Sequence, residues 1–556
     1  MGTYVPPRFA YRPAAESRGH TGQRRPVAIV GAGPVGLSAA IDLALHGVPS
    51  LVLDDNDTVS AGSRAICWAQ RTLEIFDRLG VADRMMAKGV TWQRGRVHRR
   101  DAEIYSFDLL PEGGHRMPAF INLQQYYVEE YLVERALQFP ELIELRWKNK
   151  VVGVAPRQLG AELTVDTPDG AYTIEADWVI AADGANSSVR RMLGLPFRGQ
   201  DFDERFLIAD VRMDAAFPNE RLFWFEPAFH AGQSALLHKQ PDNVYRLDFQ
   251  LGPDADPALE RQPDRVMPRV RAVVGESTPF ELEWCSVYAF RCARLEHFVH
   301  GRVVFAGDSA HVVSPFGARG GNGGIQDVDN LCWKLARVVG GRASEALIGS
   351  YDEERGRAAD ENILNSARTT NFMTPKTRTE RLFRDSVLDL APHAGFGRAL
   401  VNAGRLSRPC LLSGLRLQTE DADSGWAGPV PGAPAPDAPV TDADGQPSWL
   451  LNHLGGAFAL LCFVSDEAEL ADCAALKASA VSVVAIASRA LSRAAPDVLI
   501  DHAGIAHARY GAEPGTVYLI RPDQHVAARF RRFDPDAIEH ALLRASGADQ
   551  SIRSAA

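Results

Sequence analysis

Six residues near the N-terminus limit the possible folds more than any other stretch. Gly31-Ala32-Gly33-Pro34-Val35-Gly36 follows an apolar run at 27–30. It opens a second apolar stretch through Ala40, Leu43 and Ala44 that stops at Gly47. Another apolar run, 50–53, ends at Asp54. Strand, three spaced glycines, helix, strand and acid form, in that order, the βαβ unit that binds a dinucleotide. The glycines permit a tight turn, close approach of a pyrophosphate and packing of helix on strand, and Asp54 is set to accept hydrogen bonds from a ribose. A glycine triplet alone is a weak sign, and the bland reading is an ordinary strand–helix turn. Here every flanking element is in register, so Gly31, Gly33, Pro34, Val35, Gly36 and Asp54 form a first candidate cofactor site.

Two further turns share this build. Residues 178–182 read as a buried strand ending in Asp183-Gly184, where Ser187 and Ser188 are placed to cap a helix holding Arg190 and Arg191. Residues 303–306 read as another, followed by Gly307-Asp308 and a loop with Pro315 and five glycines. A helix beginning near Gly324 comes next, with Ile325, Val328, Leu331, Cys332 and Leu335 on one apolar face. Such a loop lets backbone amides approach a ligand, and the helix directs its positive end into it. These parts suit a large cofactor with hydroxyls and a region of negative charge.

At 556 residues the chain is too long for one core. Residues 1–25 read as a polar arm, either a flexible tail or a cover for a partner subunit. The dinucleotide domain is discontinuous, 26–195 and 290–420, the latter part carrying a helical extension. It is interrupted at 196–289 by a mainly antiparallel sheet. Residues 90–120 add strands outside the nucleotide fold. Residues 421–446, rich in Pro, Gly, Asp and Ala, read as a linker. Residues 447–556 run strand, helix, strand, hairpin, helix, an order that suits a thioredoxin-like fold in a structural or dimer-contact role. The class is α/β.

A net charge of −10 argues against non-specific nucleic-acid or anionic-membrane binding. No apolar run reaches the roughly 18 residues of a membrane span. No signal peptide is visible, and a cytoplasmic protein is expected. The cysteines, 67, 285, 292, 332, 410, 462 and 473, show neither CxxC nor zinc spacing and read as reduced thiols; no metal site is expected.

GAGPVG at 31, ADGANSSVRR at 182 and AGDSAHVVSPFGARGGNGG at 306 together resemble the single-component FAD-dependent aromatic hydroxylases, the para-hydroxybenzoate hydroxylase and phenol hydroxylase family. The likeness covers roughly 26–420, and the C-terminal domain is similar to the thioredoxin-like appendage of the phenol hydroxylase branch. It implies FAD, NAD(P)H as a transient co-substrate without its own Rossmann domain, dioxygen, and a small phenolic substrate. The ring would be hydroxylated through a flavin hydroperoxide, in aromatic-compound catabolism, by a homodimer. The cofactor carries the hard step, while the protein excludes water, orients the ring and helps the phenol lose its proton.

By resemblance, Gly31, Gly33, Gly36 and Asp54 hold the adenosine half of FAD, Arg64 lies near the pyrophosphate, and Gln125, with Gln124 as its rival, lies near the ribityl chain. Asp183 serves FAD and NAD(P)H, and Asp308 binds the ribityl hydroxyls. Pro315, Gly320, Gly321 and Asn322 pass the isoalloxazine ring. Two departures stand out: Arg319 replaces the family's glutamine, and Gly321 replaces a bulky apolar residue. Arg319 either pairs with a substrate carboxylate or points to solvent. Tyr245 and His238 are the candidate catalytic groups beside Pro315, with Arg246, His230 and Trp224 as further substrate candidates. Other FAD chemistries on this scaffold are hydroxylation of a polycyclic polyketide and non-oxygenating reduction. A halogenase is disfavoured, since no two tryptophans stand two apart.

Overall fold

The computed structural model describes residues 4–16, 24–60, 62, 64–252, 254–401, 408–421, 423, 425–475, 481–491 and 498–548. Its first sheet has five parallel strands in the order Val303–Phe305, Tyr172–Ala181, Arg25–Val30, Ser50–Leu53, Ile143–Arg146. Helices cover them, so they are apolar without alternation: Val27, Ala28 and Ile29 are all fully buried. Two antiparallel strands, Gly160–Asp166 and Lys150–Arg157, extend the sheet from Tyr172–Ala181. The parallel strands end together, and backbone bonds stitch their turns into one edge. Gly31 N donates to Leu53 O (2.8 Å), Ala182 N to Val30 O (2.9 Å) and Ala306 N to Ala181 O (3.0 Å).

The second sheet has eight strands, in the order His311–Val312, Phe280–Arg294, Arg198–Met213, Val244–Leu251, Ser234–Lys239, Arg221–Phe225, Arg94–Arg99, Ala102–Asp108. It is antiparallel except where Arg221–Phe225 pairs with Arg94–Arg99. It therefore exceeds the expected 196–289: strands at 94–108 and 311–312 join it, and the expected boundary at 290 falls inside Phe280–Arg294. Alternation marks a strand with two unlike faces, not the sheet it joins. One face packs Leu207, Leu237, Leu247 and Phe249 against Val266 and Val270 of the helix Pro263–Val274. The other looks toward the first domain, across a small sheet of Cys67–Ala69, Phe120–Asn122 and Val90–Trp92.

The third sheet has seven strands, in the order Pro447–Trp449, Pro439–Thr441, Val498–Ile500, Ser482–Ala487, Ala459–Val464, Val517–Ile520, Val526–Phe530. The segment read as a linker is part of it: Pro439–Thr441 pairs on both sides, and Trp426, Ala435 and Ala438 are buried. Proline and glycine there set turns against a core rather than a free tether.

The arm also differs from expectation. Residues 4–16 lie on their own chain, with Phe9 stacked on Trp147 (4.3 Å between ring centroids) and Tyr4 on Tyr126 (4.1 Å). The loop helix begins at Gly320, earlier than 324. Close packing explains its glycines: a Cβ at Gly324 would stand 2.7 Å from Val35 Cγ2 and 3.1 Å from Gly307 Cα.

Candidate active site

The three glycine turns sit at the carboxyl ends of the parallel strands, where open α/β sheets bind ligands. Gly31 has φ +106°, and a Cβ there would strike the Ala182 carbonyl. Gly33 is different: no described atom lies within 4 Å of its would-be Cβ. The helix Pro34–Leu45 behind it has no side-chain cap, so its first N–H groups point into open space. Asp54 Oδ2 accepts from Ala32 N (2.6 Å) and Oδ1 from Asn56 N (2.8 Å), which pulls the carboxylate over the turn.

Asp183 Oδ2 accepts from Ser188 Oγ and Val189 N, both at 3.1 Å, while its buried Oδ1 has no partner among the described residues. Asp308 is exposed to the cleft and makes no hydrogen bond with any described residue. Surrounding protein raises its pKa, and Asp327 adds to this against the pull of His311 and Arg64. The turn bearing Asp308 is held from behind. Asp327 accepts from Gly307 N (2.9 Å), pairs with His311 Nε2 (2.7 Å) and accepts from Arg355 Nε (2.7 Å). Despite burial, His311 and Arg355 keep its carboxyl well below the usual range. Uncapped donors, an open space before them and two acceptors without partners match the hydroxyls and phosphates of a dinucleotide.

The loop from Pro315 to Asn322 lies over Trp68. Asn322 Oδ1 accepts from Ala69 N (2.9 Å), and its Nδ2 donates to Cys67 O (2.9 Å) and Ala318 O (2.6 Å). Its side chain is thus occupied within the protein, leaving the backbone N–H to face a ligand. It also holds Ala318 in a left-handed conformation, φ 53°, that costs about 1 kcal/mol. A Cβ at Gly321 would stand 3.5 Å from the Trp68 ring, so Trp68 fills the space of the bulky residue missing there. Arg319 is not turned to solvent: it is buried and donates to Asn362 Oδ1 (3.2 Å). Gln125 accepts from Ala65 N (3.0 Å) and donates to Glu129 (2.8 Å), whereas Gln124 donates to Pro241 O (3.4 Å).

Strand pairing arranges the cleft face of the second sheet in rows. Trp284, Asp210, Arg246 and His238 lie side by side, with Arg221 next, one residue beyond the Leu222–Leu237 pair. The adjacent row contains Ile208, Asp248, Leu236 and Phe223. Phe206, Phe225 and Phe290 form an apolar floor with Phe316 from the flexed loop; Phe206 and Phe316 are 4.9 Å apart at their centroids.

The sequence-predicted candidates divide between the two faces. His238 is on the cleft face, its Nδ1 4.0 Å from Cys67 Sγ; burial, Arg221 and Arg246 hold its pKa well below the ordinary value. Tyr245 is on the other face, in the apolar core, where its hydroxyl donates to Ala215 O (2.7 Å). Trp224 packs on that far side, and His230 bonds Gln250 O (2.6 Å).

Two family profiles match the chain: an FAD binding domain over residues 24–366 and an aromatic-ring hydroxylase C-terminal domain over 428–548. The chain belongs to the FAD-dependent aromatic-ring hydroxylases. This hydroxylase is 27% identical to a 3-(3-hydroxy-phenyl)propionate/3-hydroxycinnamic acid hydroxylase of Mycolicibacterium smegmatis, over 90% of each chain. It is 28% identical to a second enzyme of that name from Burkholderia vietnamiensis, over 91% of this chain and 94% of the other. The flavin-dependent monooxygenase PieE, solved with FAD and substrate, shares its fold with a TM-score of 0.77 at 23% identity, over 96% and 100% of the two chains. The hydroxylase is thus a flavoprotein monooxygenase that uses FAD and NAD(P)H to hydroxylate a phenolic ring. No described helix is long and apolar enough to cross a membrane.

Several groups of the hydroxylase's site carried no sequence signal. Asp327 and Arg355 are 28 residues apart. Asp248 and Arg221 look like ordinary strand charges until pairing shows that they share the cleft face with His238.

Proposed function

We propose that FAD lies across the three stitched turns and that the phenolic substrate lies between the Pro315–Asn322 loop and the cleft face of the second sheet. Gly33 and the uncapped helix behind it would take the pyrophosphate, Asp54 the adenosine ribose, and Asp308 the ribityl hydroxyls. The single observation carrying this reading is the pair of acceptors, Asp308 and Asp183 Oδ1, that lack partners among the described residues beside open helix donors. When bound, FAD supplies the redox chemistry and the activation of dioxygen. The chain's own residues hold the ring on the Phe206–Phe316 floor and exclude water from it. His238 and Asp248 are the cleft-face groups able to accept the phenol's hydrogen bond. The strand order of the C-terminal domain, three parallel strands flanked by an antiparallel hairpin, supports a thioredoxin-like fold there.

The substrate we infer is a hydroxyphenyl acid of the kind named for the relatives. The test is a panel of phenols, including 3-(3-hydroxyphenyl)propionate and a polycyclic phenol. Each is scored for stimulated NAD(P)H oxidation, with the product weighed by mass spectrometry. One oxygen gained by the hydroxyphenyl acid is expected. Preference for the polycyclic phenol would overturn the substrate assignment, and oxidation without oxygen gain by any phenol would overturn the placement of the ring.

A further inference from the structure

The arm ahead of the first strand is laid across the carboxyl end of the parallel sheet, and its sequence suits a fixed strap. Pro6, Pro7 and Pro13 hold its backbone extended, so little freedom is lost when it docks. Its aromatic residues then anchor it to separate elements. Tyr4 stacks on Tyr126 (4.1 Å between ring centroids) and its hydroxyl donates to Glu130 Oε2 (2.8 Å), both on the helix Gln125–Ala136. Phe9 stacks on Trp147 (4.3 Å), just past the strand Ile143–Arg146. The Tyr11 hydroxyl stands 3.1 Å from both Thr167 Oγ1 and Asp169 Oδ2. At the end of the strap, buried Glu16 pairs with Arg146 Nη2 (3.1 Å) and Arg25 Nη2 (3.3 Å). These residues lie ahead of the matched FAD binding domain, which begins at 24.

Between Tyr4 and Phe9 the strap crosses a single loop, residues 54–60. Phe9 N donates to Asp57 O (2.8 Å), the Arg8 guanidinium pairs with Asp57 Oδ1 (2.6 Å), and Arg8 forms an antiparallel backbone bridge with Thr58. That loop begins at Asp54, and Asn56, next to Asp57, turns the Asp54 carboxylate. Asp54 Oδ1 accepts from Asn56 N (2.8 Å) and from Asn56 Nδ2 (2.9 Å). The inner side of the loop is tied at two points: Lys148 N donates to Asn56 O (2.9 Å), and Ser60 N to Glu129 Oε2 (2.6 Å). Arg8 and Phe9 close the outer side. The setting of the Asp54 carboxylate therefore depends on contacts made by the strap.

We propose that the strap at residues 4–16 locks the loop that presents Asp54 to the adenosine ribose, and so slows the release of FAD. Arg8 and Phe9 are positioning residues, acting through Asp57 and Asn56. A loop free on its outer side must be ordered each time the cofactor binds, whereas a strapped loop is ordered at folding, which favours the bound state. The proposal rests on the placement of FAD given above.

The test follows flavin fluorescence as FAD leaves the loaded enzyme, in wild type, Phe9→Ala, Phe9→Tyr and Asp54→Asn. Phe9→Ala is expected to release FAD about tenfold faster, as for the loss of one aromatic pair. Phe9→Tyr should return release to the wild-type rate, and Asp54→Asn, which tests the FAD placement itself, should also speed release. An unchanged rate in Phe9→Ala beside a faster one in Asp54→Asn overturns the strap's role and leaves the placement standing. Unchanged rates in both overturn placement and strap together, and a faster rate in Phe9→Ala alone overturns the route through Asp54. A Phe9→Ala enzyme that unfolds more easily yet releases FAD at the wild-type rate is also a refutation, since the strap would then serve the scaffold alone. Where Phe9→Ala does not fold, Arg8→Ala decides. Arg8 is exposed, so its loss spares the fold, and release should still quicken about twofold; an unchanged rate there overturns the proposal.

Discussion

Two regions of this hydroxylase bury charge, and they do so in opposite ways. Where the C-terminal domain meets the loop helix Gly320–Val339 and the long helix Ala346–Met373, the most deeply buried charges are paired, and Arg337, at the edge, lies over the Phe458 ring instead. Glu354 accepts from Arg521 Nη1 (2.6 Å) and Nη2 (2.9 Å), from Lys334 Nζ (2.7 Å) and from Gln418 (3.0 Å). Arg71 reaches Asp329, Gln524 and the Asp523 carbonyl, and Arg78 joins Asp42 to Asp329. On the cleft face, the half-buried side chains of Arg221 and Asp248 make no hydrogen bond or ion pair with any described residue. A buried charge that is fully paired holds a structure together, while one left unpaired is kept for a ligand. The contrast separates scaffold from site without reference to conservation.

The sharpest way to break that contrast is to remove one member of the paired region. Burial alone would raise the Glu354 carboxyl, but Arg521 and Lys334 hold it well below the usual range, while burial pushes Lys334 down to about 8. Glu354→Ala leaves two cations facing each other in the interior. The expected loss is about 3–5 kcal/mol of stability, measured by denaturant unfolding of the FAD-loaded enzyme. Arg221→Gln, which removes an unpaired cation, should not destabilise. Equal losses for the two would end the distinction.

The elements that were legible in the sequence are those whose signal is local. The parallel strands appear as apolar runs, and the turns after them appear as glycine beside aspartate. The hairpin Val517–Ile520 and Val526–Phe530 brackets a Pro-Asp turn. What was not legible depends on partners distant in sequence. Arg71 finds Asp523 some 450 positions away, and strands at 94–108 join a sheet whose other members lie beyond 197. Tyr245 and Arg246 show the limit most plainly: neighbours in sequence, they face opposite sides because side chains alternate along a strand. Residue type selected Tyr245, but the register selects Arg246 and its row.

A second prediction sharpens the contrast through pH. Burial raises the Asp248 carboxyl from 3.8 to about 6, with Asp210 adding to the rise and Arg246 and Arg221 opposing it. The folded enzyme therefore holds this proton more tightly than the unfolded chain. The stability this gives is fully present below about pH 4 and is lost as pH rises through about 6. Asp248→Asn removes the unpaired carboxylate, so at pH 8 the substrate-free variant should be more stable than wild type by about 2 kcal/mol. At pH 3 the two should unfold alike. Unfolding curves at the two pH values supply the check, and a difference independent of pH would mean that Asp248 has a partner in solution.

The smallest effect belongs to the far side of the same sheet. Tyr245 gives its hydroxyl to Ala215 O at 2.7 Å and packs on Phe217, and burial raises its pKa. It is buried, neutral and bonded, so it falls in the scaffold class although its residue type suits a phenol-binding role. Tyr245→Phe leaves the Ala215 carbonyl without its donor and should cost about 1 kcal/mol. Because the side chain stands one sheet thickness from the cleft, the pH dependence of hydroxylation should keep its shape and midpoint. A shifted midpoint in Tyr245→Phe would mean that the two faces of this sheet are electrostatically coupled. The division between paired scaffold and unpaired site would then have to be drawn through the sheet's interior rather than along its surface.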